Sequence, residues 1–264
     1  NIFAGTGGGG VFLSNDNGSS WTAINNGLSN TKVNSIAISG SNIFAGTGGG
    51  GVFLSNDNGS SWTPVNNGLI NNVVATFASG GNNIFAGTEV GVFLSTDNGS
   101  SWTAVNNGLS FDANGQLFVE EIAISGNNIF AGTAHGVYLS TNNGSTWTQT
   151  GLNNTYIRAL AISGNNIFAG SSGAYLSTNN GSSWSAVKNG LPYDEDEVLS
   201  LSISGNNIFA GTFNGVYLST NNGSNWTAVN NGLPKTFVYS IAISGSNIFI
   251  GTGDSGVFLS TNNG

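Results

Sequence analysis

The chain has 264 residues, of which only 6% are charged; the formal net charge is −8, with 42 Gly, no Cys and one His. Lys32, Arg158, Lys188 and Lys235 are the whole basic complement, too few for the basic stripe that nucleic-acid binding requires. Absence of Cys removes disulfides, Cys-ligated zinc and thiol nucleophiles; a lone His135 removes a multi-His metal site; no apolar run nears the roughly 20 residues of a membrane-spanning helix. Aromatic residues make up 11% of the chain, which speaks for a folded protein.

In chain order, the hexamer Asn-Ile-Phe-Ala-Gly-Thr opens the sequence at Asn1 and predicts a strand, B. A Gly-rich tip follows, then strand C at Val11–Ser14, a polar turn, and strand D beginning at Trp21. A short variable connection, Asn30–Lys32, leads into strand A at Ser35–Ser39. The hexamer or a close variant returns at Asn42, Asn83, Asn128, Asn166, Asn207 and Asn247, at spacings of 41, 41, 45, 38, 41 and 40 residues. Ile43-Phe44-Ala45 and Val52-Phe53-Leu54 are apolar on both alternating faces, the mark of strands buried on both sides. Gly and Asn interrupt every apolar spacing that a helix would need. Four strands per repeat of about 41 residues predict an all-β fold: one β-propeller domain over 1–264, built of four-stranded antiparallel blades. Seven blades are expected, with strand A missing from the first and strand D from the last. Six is the alternative, because 247–264 repeats the register of 1–18.

Between C and D, Ser14-Asn15-Asp16-Asn17-Gly18-Ser19-Ser20-Trp21 recurs, with copies beginning at Ser55, Ser95, Ser140, Ser177, Ser219 and Ser260. This motif resembles the Asp box, Ser-x-Asp-x-Gly-x-Thr-Trp, of the BNR or sialidase-like propellers, and its copies run the length of the chain. Repeat arrays of secreted bacterial proteins are the most similar in their Asn, Gly and Ser content. The resemblance implies a structural role for Asp16, Trp21, Asp57, Trp62, Asp97, Trp102, Asn142, Trp147, Asn179, Trp184, Asn221 and Trp226. A short polar side chain accepts hydrogen bonds from its own turn, and Trp fills the space between sheets. Four copies carry Asn where three carry Asp, so a role that depends on charge is not expected there.

The family's sialidase activity needs three arginines, and Arg158 stands alone. Glycosidase chemistry in other propellers needs two carboxylates about 5–10 Å apart. Asp112, Glu120, Glu121, Asp194, Glu195, Asp196, Glu197 and Asp254 are available, but as loop acids they also serve solubility. Gly5–Gly10 has Gly-x-Gly-x-x-Gly spacing, yet a strand follows where a nucleotide site would need a helix. No cofactor, metal or catalytic residue is expected.

Variation between repeats concentrates in the B–C tips and D–A connections, which an up-and-down blade places at one end. Loops on a constant scaffold are where binding sites reside. Candidate ligand-binding residues are therefore Glu89, His135, Tyr156, Tyr193, Asp194, Glu195, Asp196, Phe213 and Asp254. The expected function is that of a non-enzymatic, secreted or surface-displayed bacterial binding or scaffold module. Its ligand would be a protein or a glycan, with no nucleic acid and no membrane span. A structural subunit assembling through its terminal blades is the alternative, and a carbohydrate-active enzyme a weaker one. The ends read as though cut from a longer chain.

Overall fold

The computed structural model describes residues 1–192 and 197–264. Among them every regular element is a strand, and the strands form seven antiparallel sheets, the blades of an all-β propeller. Blade 1 is β1 (Ile2–Thr6), β2 (Gly10–Ser14) and β3 (Thr22–Ala23). Blade 2 is β4 (Val33–Ser39), β5 (Asn42–Thr47), β6 (Val52–Ser55) and β7 (Thr63–Pro64). Blade 3 is β8 (Val74–Gly80), β9 (Asn83–Thr88), β10 (Gly91–Ser95) and β11 (Thr103–Ala104). Blade 4 is β12 (Val119–Ser125), β13 (Asn128–Thr133), β14 (Gly136–Ser140) and β15 (Thr148–Asn153). Blade 5 is β16 (Ala159–Ser163), β17 (Asn166–Ser171), β18 (Gly173–Ser177) and β19 (Ser185–Ala186). Blade 6 is β20 (Val198–Ser204), β21 (Asn207–Thr212), β22 (Gly215–Ser219) and β23 (Thr227–Ala228). Blade 7 is β24 (Val238–Ser244), β25 (Asn247–Thr252) and β26 (Val257–Ser260). Seven sheets, with three strands in the first and last, agree with the seven-blade expectation over six.

The chain forms two compact units, Asn1–Ala134 with Tyr138–Gln149, and His135–Val137 with Thr150–Gly264. In both, the hexamer is the buried centre of its blade: Ile43, Phe44 and Ala45 in the first unit, and Ile208, Phe209 and Ala210 in the second, are all at most 2% exposed. Its Gly lets neighbouring blades close up. A Cβ on Gly46 would lie 2.7 Å from Val74 and 2.8 Å from Phe77 of the next blade. Bulged pairing at the entry of β4, β8, β12, β20 and β24 bends strand A as it joins its blade.

Strand D, expected to begin at the Trp of each repeat, is short in blade 2: β7 holds only Thr63 and Pro64. Two bonds divert the chain. The Trp62 amide donates to Asn26 O of the preceding blade at 2.8 Å. Asn66 clamps the start of strand C, accepting from Val52 N at 2.7 Å and donating to Gly50 O at 3.0 Å. Asn25 makes the same pair of bonds to Val11 and Gly9.

Candidate functional site

The C–D turns come first, because they are the constant end of each blade. Asp57 Oδ1 accepts from Ser55 Oγ at 2.7 Å and from Ser61 N at 2.9 Å, and Oδ2 accepts from Ser61 Oγ at 2.6 Å. Asn142 keeps the first two bonds, from Ser140 Oγ at 3.0 Å and Thr146 N at 2.9 Å. The third reverses: Asn142 Nδ2 donates to Thr146 Oγ1 at 2.9 Å, which a hydroxyl permits because it both donates and accepts. Asn179 does the same toward Ser183. Asn58 and Gly59 both take positive φ, 58° and 85°, so the Asn-Gly pair meets a backbone requirement at two successive positions. The Ser20 and Ser61 hydroxyls, then their amides, hold the Asp16 and Asp57 carboxyls down at about 2. Ser101 lowers Asp97 in the same way.

After four of the turns the indole that follows bridges two blades. Nε1 of Trp62 donates to Ile24 O at 2.7 Å, Trp102 to Val65 O at 2.8 Å, Trp147 to Val105 O at 2.7 Å, and Trp226 to Val187 O at 2.7 Å. All four are buried. Trp21 and Trp184 are only half-buried, and Trp184 bonds Thr150 Oγ1 and its own Gly181 O.

At the opposite end of the sheets, B–C tips and D–A connections bond to one another through the backbone. Gly48 N donates to Lys32 O and Leu117 N to Glu89 O in the first unit, both at 2.8 Å. Asn154 N donates to His135 O at 2.9 Å and Gly253 N to Phe237 O at 3.0 Å in the second. Variable residues are thus gathered at one end of each blade.

In the second unit, Phe213 of a B–C tip lies with its ring centroid 4.8 Å from Phe237, and Phe237 lies 6.3 Å from Tyr239 at an interplanar angle of 84°. Phe237 is 45% and Tyr239 55% exposed, so the cluster presents apolar surface to solvent. Gly253 abuts Tyr239 and Phe237, which places the exposed Asp254 one residue from the cluster. Elsewhere in the same unit, the Arg158 guanidinium lies 4.7 Å from the Tyr156 ring centroid and pairs with Glu197. Of the expected residues, Phe213 belongs to the aromatic cluster with Asp254 beside it, and Tyr156 belongs to the Arg158 group; Glu89, in the first unit, and His135 stand half-buried at their own tips. Tyr193, Asp194, Glu195 and Asp196 fall outside the described residues.

Phe237, Tyr239, Arg158 and Glu197 were not among the expected site residues. The signal was in the repeat. The residues flanking the first Val or Ile of strand A are Lys32/Asn34, Val73/Ala75, Phe118/Glu120, Tyr156/Arg158, Glu197/Leu199 and Phe237/Tyr239, a position of maximal chemical variation. In two of these pairs the side chains meet, Phe237 with Tyr239 and Tyr156 with Arg158.

Glu121 is the acid whose environment departs most from water. Burial pushes its carboxyl up to about 8, opposed by the Thr76 hydroxyl, which donates to Oε1 at 3.3 Å. Among the described residues no group of three or more acids and His could hold a metal, and no helix is long and apolar enough to cross a membrane.

Residues 2–118 match the family described as the DUF6242 β-propeller domain. No curated protein matches the chain. Three similar solved structures share the fold. The extracellular domain of a putative one-component system from B. thetaiotaomicron is 17% identical with a TM-score of 0.78, covering 98% of this chain and 36% of that one. YCF48 bound to D1 peptide is 16% identical with a TM-score of 0.74, covering 96% and 86%. The GH74 xyloglucanase from Xanthomonas campestris is 14% identical with a TM-score of 0.75, covering 99% and 50%. The chain therefore spans about a third of the extracellular domain of the one-component system and half of the xyloglucanase.

Proposed function

We propose that this propeller is a non-enzymatic binding module, secreted or displayed on a bacterial surface, which holds a protein or glycan ligand at its B–C/D–A end. The observation that carries this reading is the exposed Phe213–Phe237–Tyr239 cluster at the variable end, where the Tyr156–Arg158–Glu197 group is also borne. Exposed aromatics and Arg are the side chains on which binding energy concentrates, because they desolvate large areas at small entropic cost. The similarly folded YCF48, solved with D1 peptide, supports peptide binding, and the extracellular domain of a one-component system supports a place outside the cell. The C–D turns are assigned as Asp boxes with a structural role, because Asp and Asn make equivalent bonds there. The 1–264 propeller is taken as one functional domain.

The test is a peptide and glycan array probed with the intact chain and with Phe237→Ala/Tyr239→Ala. Binding should weaken roughly tenfold or more in the double variant. Binding unchanged in that variant, or turnover of xyloglucan that disappears in Glu121→Gln or Asp254→Asn, would overturn the reading.

A further inference from the structure

A second site lies in the first unit, at the constant end of blades 3 and 4. A cavity of about 260 Å³ is lined there by Gly80 and Asn83 of one A–B hairpin, Asn127 of the next and Asn143 of a C–D turn, with Phe85 and Ile124 adding apolar atoms. All of these residues belong to the first unit, and none is shared with the aromatic cluster. The volume exceeds the ~150 Å³ of a cavity that accepts a benzene ring. It leaves room for a six-membered ring that carries substituents.

The cavity has a cause in the repeat. Strand A ends on Ile-Ser in five blades: Ile38-Ser39, Ile124-Ser125, Ile162-Ser163, Ile203-Ser204 and Ile243-Ser244. Blade 3 holds Ser79 and Gly80 at those places, for Gly80 pairs with Asn83 as Ser39 pairs with Asn42 and Ser125 with Asn128. Gly80 does not take a positive φ, so its backbone has no need of glycine. A Cβ there would lie 3.4 Å from Ile124 Cδ1, an ordinary contact, and would project toward this lining residue. What the glycine contributes is the missing side chain.

The lining chemistry selects the occupant. The carboxamides of Asn83, Asn127 and Asn143 make no side-chain hydrogen bond among the described residues, and each offers donors and an acceptor oxygen. No ionisable side chain lines the cavity among the described residues, so a charged ligand would lose water with nothing to balance its charge. A wholly apolar ligand would strand the three amides. Hydroxyl groups both donate and accept, and so match carboxamides in either orientation. We propose that this cavity is a binding site for one neutral pyranose ring, either a free sugar or the end residue of a glycan chain. The three carboxamides bond its hydroxyls, and Ile124 lies against its C–H groups.

The probes are glucose, galactose, mannose and N-acetylglucosamine, each as the free sugar and as a linear trisaccharide. They are titrated into the isotopically labelled intact chain, and amide NMR shifts locate the binding. At least one probe should shift the amides of 80–83, 126–127 and 143–144, with a Kd on the order of millimolar for a single ring. A free sugar that binds as well as its trisaccharide identifies a soluble ligand, and a trisaccharide that binds roughly fivefold better identifies a glycan end; either supports the proposal. Gly80→Ser restores the residue of the other five repeats, so it should keep the melting temperature and weaken binding about tenfold or more. Asn127→Ala, at an exposed turn position, should weaken it too without loss of fold. No shifts at ~100 mM of any probe, shifts confined to other residues, or equal affinity in Gly80→Ser and Asn127→Ala overturns the proposal. Phe237→Ala/Tyr239→Ala should leave these shifts unchanged, so the two sites stand or fall separately.

Discussion

Asp57 shows how one atom can change without changing the job. Its Oδ1 bonds are reproduced by Asn142, and the Oδ2 bond is replaced by one of reversed direction. Asp57→Asn should therefore leave the melting temperature at pH 7 nearly unchanged. The Asp57 carboxyl titrates near 2 when folded, below its ordinary 3.8, so its contribution is present above the unfolded value and lost as pH falls toward 2. Melting curves of both proteins from pH 7 to pH 2 should stay together at the top and diverge at the bottom, the wild type losing more. Glu121 works in the opposite sense. Its folded pKa of about 8 lies above the ordinary 4.5, so the folded chain holds a proton that the unfolded chain releases. Its stability contribution is complete below pH 4.5 and disappears as pH rises through 8. Glu121→Gln should match wild type near pH 4.5 and be more stable at pH 9, by up to a few kcal/mol discounted for the water that reaches a half-buried carboxyl. Urea titrations at the two pH values measure it. The turn chemistry of Asp57 was legible in the repeat; the condition of Glu121 was not, because it depends on the neighbouring Thr76, 45 residues away in sequence.

At the scale of elements, the indoles define which junctions are alike. Trp102 is 3% exposed and bonded across to Val65 O, whereas Trp184 is half-buried and bonds Thr150 and its own turn. The cause is a local change in β15. Trp147 to Leu152 is two residues shorter than Trp102 to Leu109, and the Asn pair that clamps strand C elsewhere is missing. Trp102→Ala should cost about 3–5 kcal/mol, as expected for a large buried ring, and Trp184→Ala roughly 1–2 kcal/mol. Equal losses in denaturant melts would contradict the difference in packing. The existence and order of strands A, B and C could be read from their apolar runs. The brevity of strand D could not, because the residues that leave the sheet, Trp62 and Asn66, do so to bond a neighbouring blade and a neighbouring tip.

For the whole molecule, repeats that touch only their neighbours distribute stability locally. Each compact unit has its own core: Phe85, Leu117, Ile122 and Trp147 belong to one, and Phe168, Val198, Ile208 and Trp226 to the other. Trp226→Ala should accelerate amide exchange in β21 and β22 strongly, and in β9 and β10 little. Uniform acceleration would mean that the chain opens as one cooperative body. The sequence by itself determined the fold class and the end of each blade at which variation collects, and narrowed the blades to six or seven. These follow from hydrophobic period, turn residues and repeat length, all local along the chain. Only the tertiary structure decided which variable residues meet. Phe213 comes from the tip between β21 and β22 of blade 6 and Phe237 from the entry to blade 7, and Arg158 reaches Glu197 across a whole repeat. Side-chain contact across blades depends on how neighbouring sheets pack, which no local pattern encodes.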